Sequence, residues 1–224
     1  MTARSRPGSR GRIQDLWETG VGAWGYGALL GVADWVEPRL PDLPGTGLVR
    51  DFYRVDRRLA LTGGETVLDL ACGPGTLTRR LADAVGDAGL VVGVDLSEAM
   101  LARATRGVRA SNVALMRADA TDLPLRADTV DAVCCSLCLH LVPDLETALT
   151  GIARVLRPGG PIAIAVPAHA PGPLRVFSEA LSRWGQARLF DRGELSAALE
   201  GHGFVRLRER IGQGLSLVDA VAPG

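Results

Sequence analysis

The sequence predicts an α/β protein: a doubly wound, seven-stranded, mostly parallel sheet of Rossmann-like kind, closed by an antiparallel C-terminal hairpin. Three observations carry this. From Thr66 onward, short apolar runs alternate with longer stretches of helical spacing, as in repeated β-α units around a parallel sheet. The runs are almost continuously apolar, as strands covered by helices on both faces are. Two last apolar runs flank Gly212 to Gly214, where the chain can turn back on itself.

In chain order, Val67 to Leu70 reads as the first strand and Leu77 to Val85 as the first helix. Val91 to Val94 is the second strand, Glu98 to Arg106 the second helix, and Val113 to Arg117 the third strand. Val130 to Cys135 is expected as the fourth strand, Leu145 to Val155 as the helix after it, and Pro161 to Val166 as the fifth strand. Val205 to Arg210 and Leu215 to Ala222 would form the hairpin. No internal repeat interrupts this order.

Three segments follow. Residues 1–12 carry Arg4, Arg6, Arg10 and Arg12 among Gly, Ser and Pro, so a flexible basic tail is expected. Residues 13–63 are rich in Trp and Tyr at helical spacing but broken by Pro38, Pro41 and Pro44, which predicts a helical lid. Residues 64–224 would be the ligand-binding core. A chain of 224 residues suits one such domain.

Composition narrows the function. Hydrophobic residues make up 47% and aromatics 4%, so the interior must be aliphatic. The 25 basic residues, all Arg, balance 25 acidic ones, and charge therefore implies no nucleic-acid partner. No window suits a membrane span, since Val21 to Val36 holds four glycines and Asp34; with no secretory leader pattern, a cytoplasmic protein is expected. Cys135 and Cys138 have a metal-site spacing, but on one strand positions three apart face opposite ways, so no metal is expected from Cys72, Cys134, Cys135 and Cys138.

The strongest local signal is Val67 to Thr76, an apolar strand running into Cys72-Gly73-Pro74-Gly75 and then a helix. Gly73 and Gly75 let the chain turn sharply and a bulky ligand approach the peptide groups, while the helix start offers free N–H groups. Asp95 ends the second strand, where an acid can accept from both hydroxyls of a ribose. Capping the next helix is its bland alternative, but Ser97 is better placed for that. A dinucleotide oxidoreductase is disfavoured: Thr78 stands at its third glycine, and the chain has no Lys for a Tyr-Lys pair.

These residues, from about Gly64 to Val166, resemble the class I S-adenosylmethionine-dependent methyltransferases. Four blocks carry the likeness in order: Val67 to Thr76, Val92 to Leu101, Ala118 to Pro124, and Val130 to Gly160 with Asp144 and Arg154-Val155-Leu156-Arg157-Pro158-Gly159-Gly160. The pattern is similar to the ubiquinone/menaquinone type. The resemblance implies S-adenosylmethionine as cofactor, with Asp69, Ala71 and Gly73 beside its methionine part, Asp95 on the ribose, and Leu96 and Met100 against the adenine. It further implies that Asp119 accepts from the adenine amino group with Ala120 offering backbone, and that Cys135 and Ser136 end the fourth strand near the methionine tail. The segment before the glycine motif departs from the quinone enzymes, so the acceptor is not inherited with the fold.

Methyl transfer from a sulfonium needs alignment above all, and a base only where the acceptor is poorly ionised. His140, after the fourth strand, and His169, after the fifth, are the candidates, since both follow the sheet edge where open α/β sheets bind ligands. His202, beside Gly203, reads as a helix stop. The expected partner is a small, apolar or aromatic molecule, with a homodimer left open. Two other classes share the motifs: a non-methylating cyclase of natural-product biosynthesis, and a cofactor-binding subunit that supports another enzyme.

Overall fold

The computed structural model describes residues 54–169, 175, 188–212 and 214–224. Its strands are β1 (Thr66–Leu70), β2 (Leu90–Asp95), β3 (Val113–Arg117), β4 (Ala132–Ser136), β5 (Pro161–Pro167), β6 (Val205–Gly212) and β7 (Leu215–Val221). Four described helices accompany them: α1 (Thr76–Val85), α2 (Glu98–Gly107), α3 (Leu145–Val155) and α4 (Glu194–Gly201). The seven strands form one sheet in the order β3-β2-β1-β4-β5-β7-β6. β1 to β5 pair in parallel, and β7 runs antiparallel between β5 and β6.

The two-residue period of the strands sorts their side chains into two cores. Leu68, Leu70, Val133, Cys135, Ile162 and Ile164 join a cluster with α3 and α4. Val67, Ala132, Cys134, Ala163 and Ala165 face the other way, against Leu81 and Val85 of α1. Val55 and Leu59, from a 3-10 turn at Val55–Leu59, complete this second core. That turn is pinned by Arg58 to Asp219 on β7 and by Asp56 to Arg80 on α1 at 2.7 Å. Of the expected tail and lid, residues 1–53 lie outside the described residues.

Helix starts follow local chemistry. Ser97 caps α2 by accepting from the Met100 N–H at 3.3 Å, and Asp144 caps α3 by accepting from the Thr147 N–H at 3.0 Å. Gly75, at φ 85°, is the N-cap of α1, and a Cβ there would lie 2.5 Å from Val108 Cγ2. Gly93 lets Cys72 fold over β2: its Cβ would stand 2.7 Å from Leu115 Cδ2 and 3.2 Å from Cys72 Sγ.

Two expectations are corrected. The fourth strand begins at Ala132, not Val130; Val130 makes only an isolated bridge to Leu156, and Asp131 is drawn to the Thr66 N–H at 2.7 Å and to Arg157. Cys135 and Cys138 do not face opposite ways. The strand ends at Ser136, and Leu137, at φ 53°, turns the chain so that both thiols enter one core. Among the described residues no group of three or more His, Cys, Asp or Glu could hold a metal ion.

Candidate active site

A cavity of about 290 Å³ opens at the carboxyl ends of β1, β2 and β4. The sheet order makes this its switch point: the chain leaves β1 toward β2 and β3 on one side, then returns to β4 and β5 on the other, leaving a crevice between the diverging loops. Ala71, Gly73, Asp95, Leu96, Met100, Asp119, Ala120, Ser136 and His140 all line it.

The floor is the turn after β1. Its shape is held by the Cys72 N–H donating to the Val94 carbonyl at 3.0 Å and the Gly75 N–H to Cys72 at 3.0 Å. Ala71 and Gly73 adopt the left-handed region there, at φ 58° and 55°. Asp95 ties this turn to the start of α2: Oδ2 accepts from the Gly73 N–H at 2.8 Å and Oδ1 from the Ser97 N–H at 2.8 Å. Burial raises the Asp95 pKa, and these two N–H groups oppose the rise. Each oxygen keeps a further lone pair for a ligand hydroxyl.

Across the cavity, Asp119 Oδ1 holds its own turn by accepting from the Thr121 N–H at 2.9 Å and hydroxyl at 2.8 Å, which leaves Oδ2 for a donor on a ligand. Leu96, Met100 and Val142 supply apolar surface for a flat ring. Among the described residues, the charged ones in the lining are Asp95 and Asp119, with no Arg beside them. Such a wall suits a ligand that brings a positive charge and donates hydrogen bonds.

Asp69, Cys135 and His169 stand apart from the lining. The Asp69 side chain lies beneath the glycine turn, 1% exposed, accepting from the Thr78 hydroxyl of α1 at 2.6 Å. Burial pushes its carboxyl up to about 7, with the Asp95 and Asp56 charges adding to the rise and Thr78 opposing it. Cys135 is fully buried in the core one residue short of Ser136. His169, half-buried past β5, donates its N–H to the Phe190 carbonyl at 3.0 Å.

Sequence reasoning missed a whole wall. Leu137, Cys138, Leu141, Val142 and Pro143 line the cavity on the stretch that follows β4. Their position just past the carboxyl end of a strand was the available signal. The left-handed turn at Leu137, which swings the stretch over the cavity, has no residue signature, since Leu does not favour that region.

Comparison with known proteins bears on the family and the fold. The sequence model of a family described as "Methyltransferase domain" matches residues 67–160. A Synechococcus elongatus protein named 2-phytyl-1,4-naphtoquinone methyltransferase is 39% identical over 168 residues, 70% of this chain and 72% of that one. Among solved structures, a SAM dependent methyltransferase from Aquifex aeolicus matches with a TM-score of 0.62 at 25% identity, over 76% of this chain and 89% of that one. The cyclase SpnF shares the fold, with a TM-score of 0.64 at 22% identity over 78% of this chain and 80% of that one.

Proposed function

The chain belongs to the class I S-adenosylmethionine-dependent methyltransferase family, and from that premise we propose that it transfers the methyl group to a ring carbon of a reduced naphthoquinone or a similar apolar hydroxylated ring. The observation that carries the cofactor assignment is the cavity itself, with two carboxylates, no cation among its described residues and an apolar slot above a glycine turn. The acceptor class is supported by the relative named for a phytyl naphthoquinone and by the apolar wall from Leu137 to Pro143.

The residues fit the cofactor. Asp95 would hold the ribose hydroxyls, Leu96 and Met100 the faces of the adenine, and Asp119 with Ala120 its amino edge. Ala71, Gly73 and Ser136 would border the methionine part, while Asp69 and Cys135 would act from behind by fixing the turn and the strand end. When bound, S-adenosylmethionine supplies a methyl on a positively charged sulfur, already activated for displacement. The chain's share is to exclude water and to hold the acceptor carbon in line with that methyl. The carbon–methyl bond forms as the sulfur–methyl bond breaks, and one proton is released overall from the ring. A cytoplasmic location and a homodimer are proposed with this activity, checked by fractionation and sedimentation.

The test is formation of S-adenosylhomocysteine by the full chain with 2-prenyl-1,4-naphthoquinone kept reduced. Stoichiometric S-adenosylhomocysteine and ring-methylated product are expected. Cofactor binding without any acceptor-dependent turnover, across hydroquinones and phenols, would sink the acceptor class.

A further inference from the structure

The 3-10 turn Leu139–Leu141 sets His140 in the wall of the cavity. Its backbone is held from several sides: Leu141 donates to Cys138 at 2.8 Å, Val142 to Leu139 at 3.4 Å, and Arg188 to the His140 carbonyl at 2.9 Å. The ring is therefore placed by a pinned turn. Among the described residues its Nδ1 is buried with no hydrogen-bond partner. Nε2 is not such an atom, and of the two ring nitrogens it is the one that can still meet a partner in the cavity that His140 lines.

That asymmetry decides the proton's position. A neutral imidazole carries one N–H and one lone pair. A proton on Nδ1 would leave a buried donor unanswered, and a second proton would bury a charge as well. A lone pair left unanswered on Nδ1 costs less. We infer that His140 is a neutral hydrogen-bond donor that holds an oxygen of the methyl acceptor through Nε2–H, and is not the base of the reaction. Burial agrees with this, pulling the His140 pKa down to about 4.

The inference rests on the methyl-transfer reading and sharpens its substrate class. The acceptor must present a carbonyl or phenolic oxygen close to the atom that is methylated. A neutral donor favours the ionised form of such a hydroxyl and fixes the ring, while the released proton passes to water.

Two measurements test it. In the full chain labelled with ¹⁵N-histidine and saturated with S-adenosylhomocysteine, long-range ¹H–¹⁵N correlations at neutral pH should show a bare Nδ1 and a protonated Nε2. A protonated Nδ1, alone or in a charged ring, overturns the assignment, and this readout does not depend on turnover. With reduced 2-prenyl-1,4-naphthoquinone, His140→Phe and His140→Asn should lose about ten- to a hundredfold in kcat/KM, whereas His140→Gln, whose amide N–H reaches the Nε2 position, should stay within about fivefold. Unchanged S-adenosylhomocysteine affinity in all three shows that the fold and cofactor site persist. A Gln variant as impaired as Phe means a base, and a Phe variant weakened only toward S-adenosylhomocysteine means a cofactor ligand; either result overturns the proposal. A wild-type chain that methylates no ring acceptor defeats the acceptor class alone, and the nitrogen assignment is still decided by the spectrum.

Discussion

Replacing Asp69 by Asn should make the chain more stable at neutral and alkaline pH, by a margin that shrinks steadily in acid and vanishes only below about pH 4. The folded carboxyl holds its proton up to about 7, whereas an unfolded Asp releases it near 3.8. Between those values the folded state binds more protons, so stability is fully present below 3.8 and is lost as pH rises through 7. At about 1.4 kcal/mol per pH unit of difference, the ceiling on the loss is about 4 kcal/mol. Between roughly pH 5 and pH 8 the wild type should lose about 2 to 3 kcal/mol relative to Asp69→Asn by the same linkage. Asn keeps an oxygen to accept from the Thr78 hydroxyl, so the packing under the turn survives. For a chain of 224 residues, about 2–4 °C per kcal/mol makes this a gap of about 5 to 10 °C in Tm. Thermal unfolding of both proteins at constant ionic strength across that range reads it directly. A gap that stays constant with pH would mean the carboxyl ionises normally despite its burial, and the reasoning would fail.

Asp95→Ala should weaken S-adenosylmethionine binding at least about tenfold by calorimetry and lower stability by about 1–3 kcal/mol, because the Gly73 and Ser97 N–H groups lose their acceptor; undiminished affinity would remove the ribose role. Gly93→Val should destabilise by about 1–3 kcal/mol in denaturant titration, since even the first carbon meets Leu115 and Cys72. Ala71→Gly should gain up to about 1 kcal/mol, because Ala71 sits at φ 58°; a loss would show that its methyl packs more favourably than the left-handed backbone costs.

The fold was legible because its signals are local and repeat along the chain. Runs such as Val91 to Val94 and Pro161 to Val166 are buried on both faces, and the structure divides their residues between two cores. Caps at Ser97 and the turns at Gly73 and Gly75 were visible as residue types. The start of β4 was not, because Val130 is as apolar as the strand it precedes, and only its long-range backbone pairing, N–H to the Val155 carbonyl at 3.1 Å and carbonyl from the Arg157 N–H at 2.9 Å, keeps it out of the ladder. The cysteine pair was misread for a related reason. Spacing along a strand says which face a residue takes only while the strand lasts, and Leu137 ends it.

The site was half legible, and the missing half has one physical cause. Both walls of the cavity begin with a residue other than glycine in the left-handed region, Ala71 just past β1 and Leu137 just past β4. Neither residue type favours that region, so neither announces it. What holds them is the neighbouring ladder: the Cys72 N–H reaches the Val94 carbonyl of β2 at 3.0 Å, and the Leu137 N–H reaches the Ala165 carbonyl of β5 at 2.8 Å. Each adjacent strand thus captures the chain as it leaves the sheet and aims it over the crevice. The resulting shape belongs to the pairing of four strands, β1 with β2 and β4 with β5, and not to the two residues that express it. Strain of this kind persists only where the surrounding structure enforces it. It therefore follows that mutations at Ala165, which stands outside the lining and outside the quoted motif blocks, should disturb the cavity as surely as mutations in its lining.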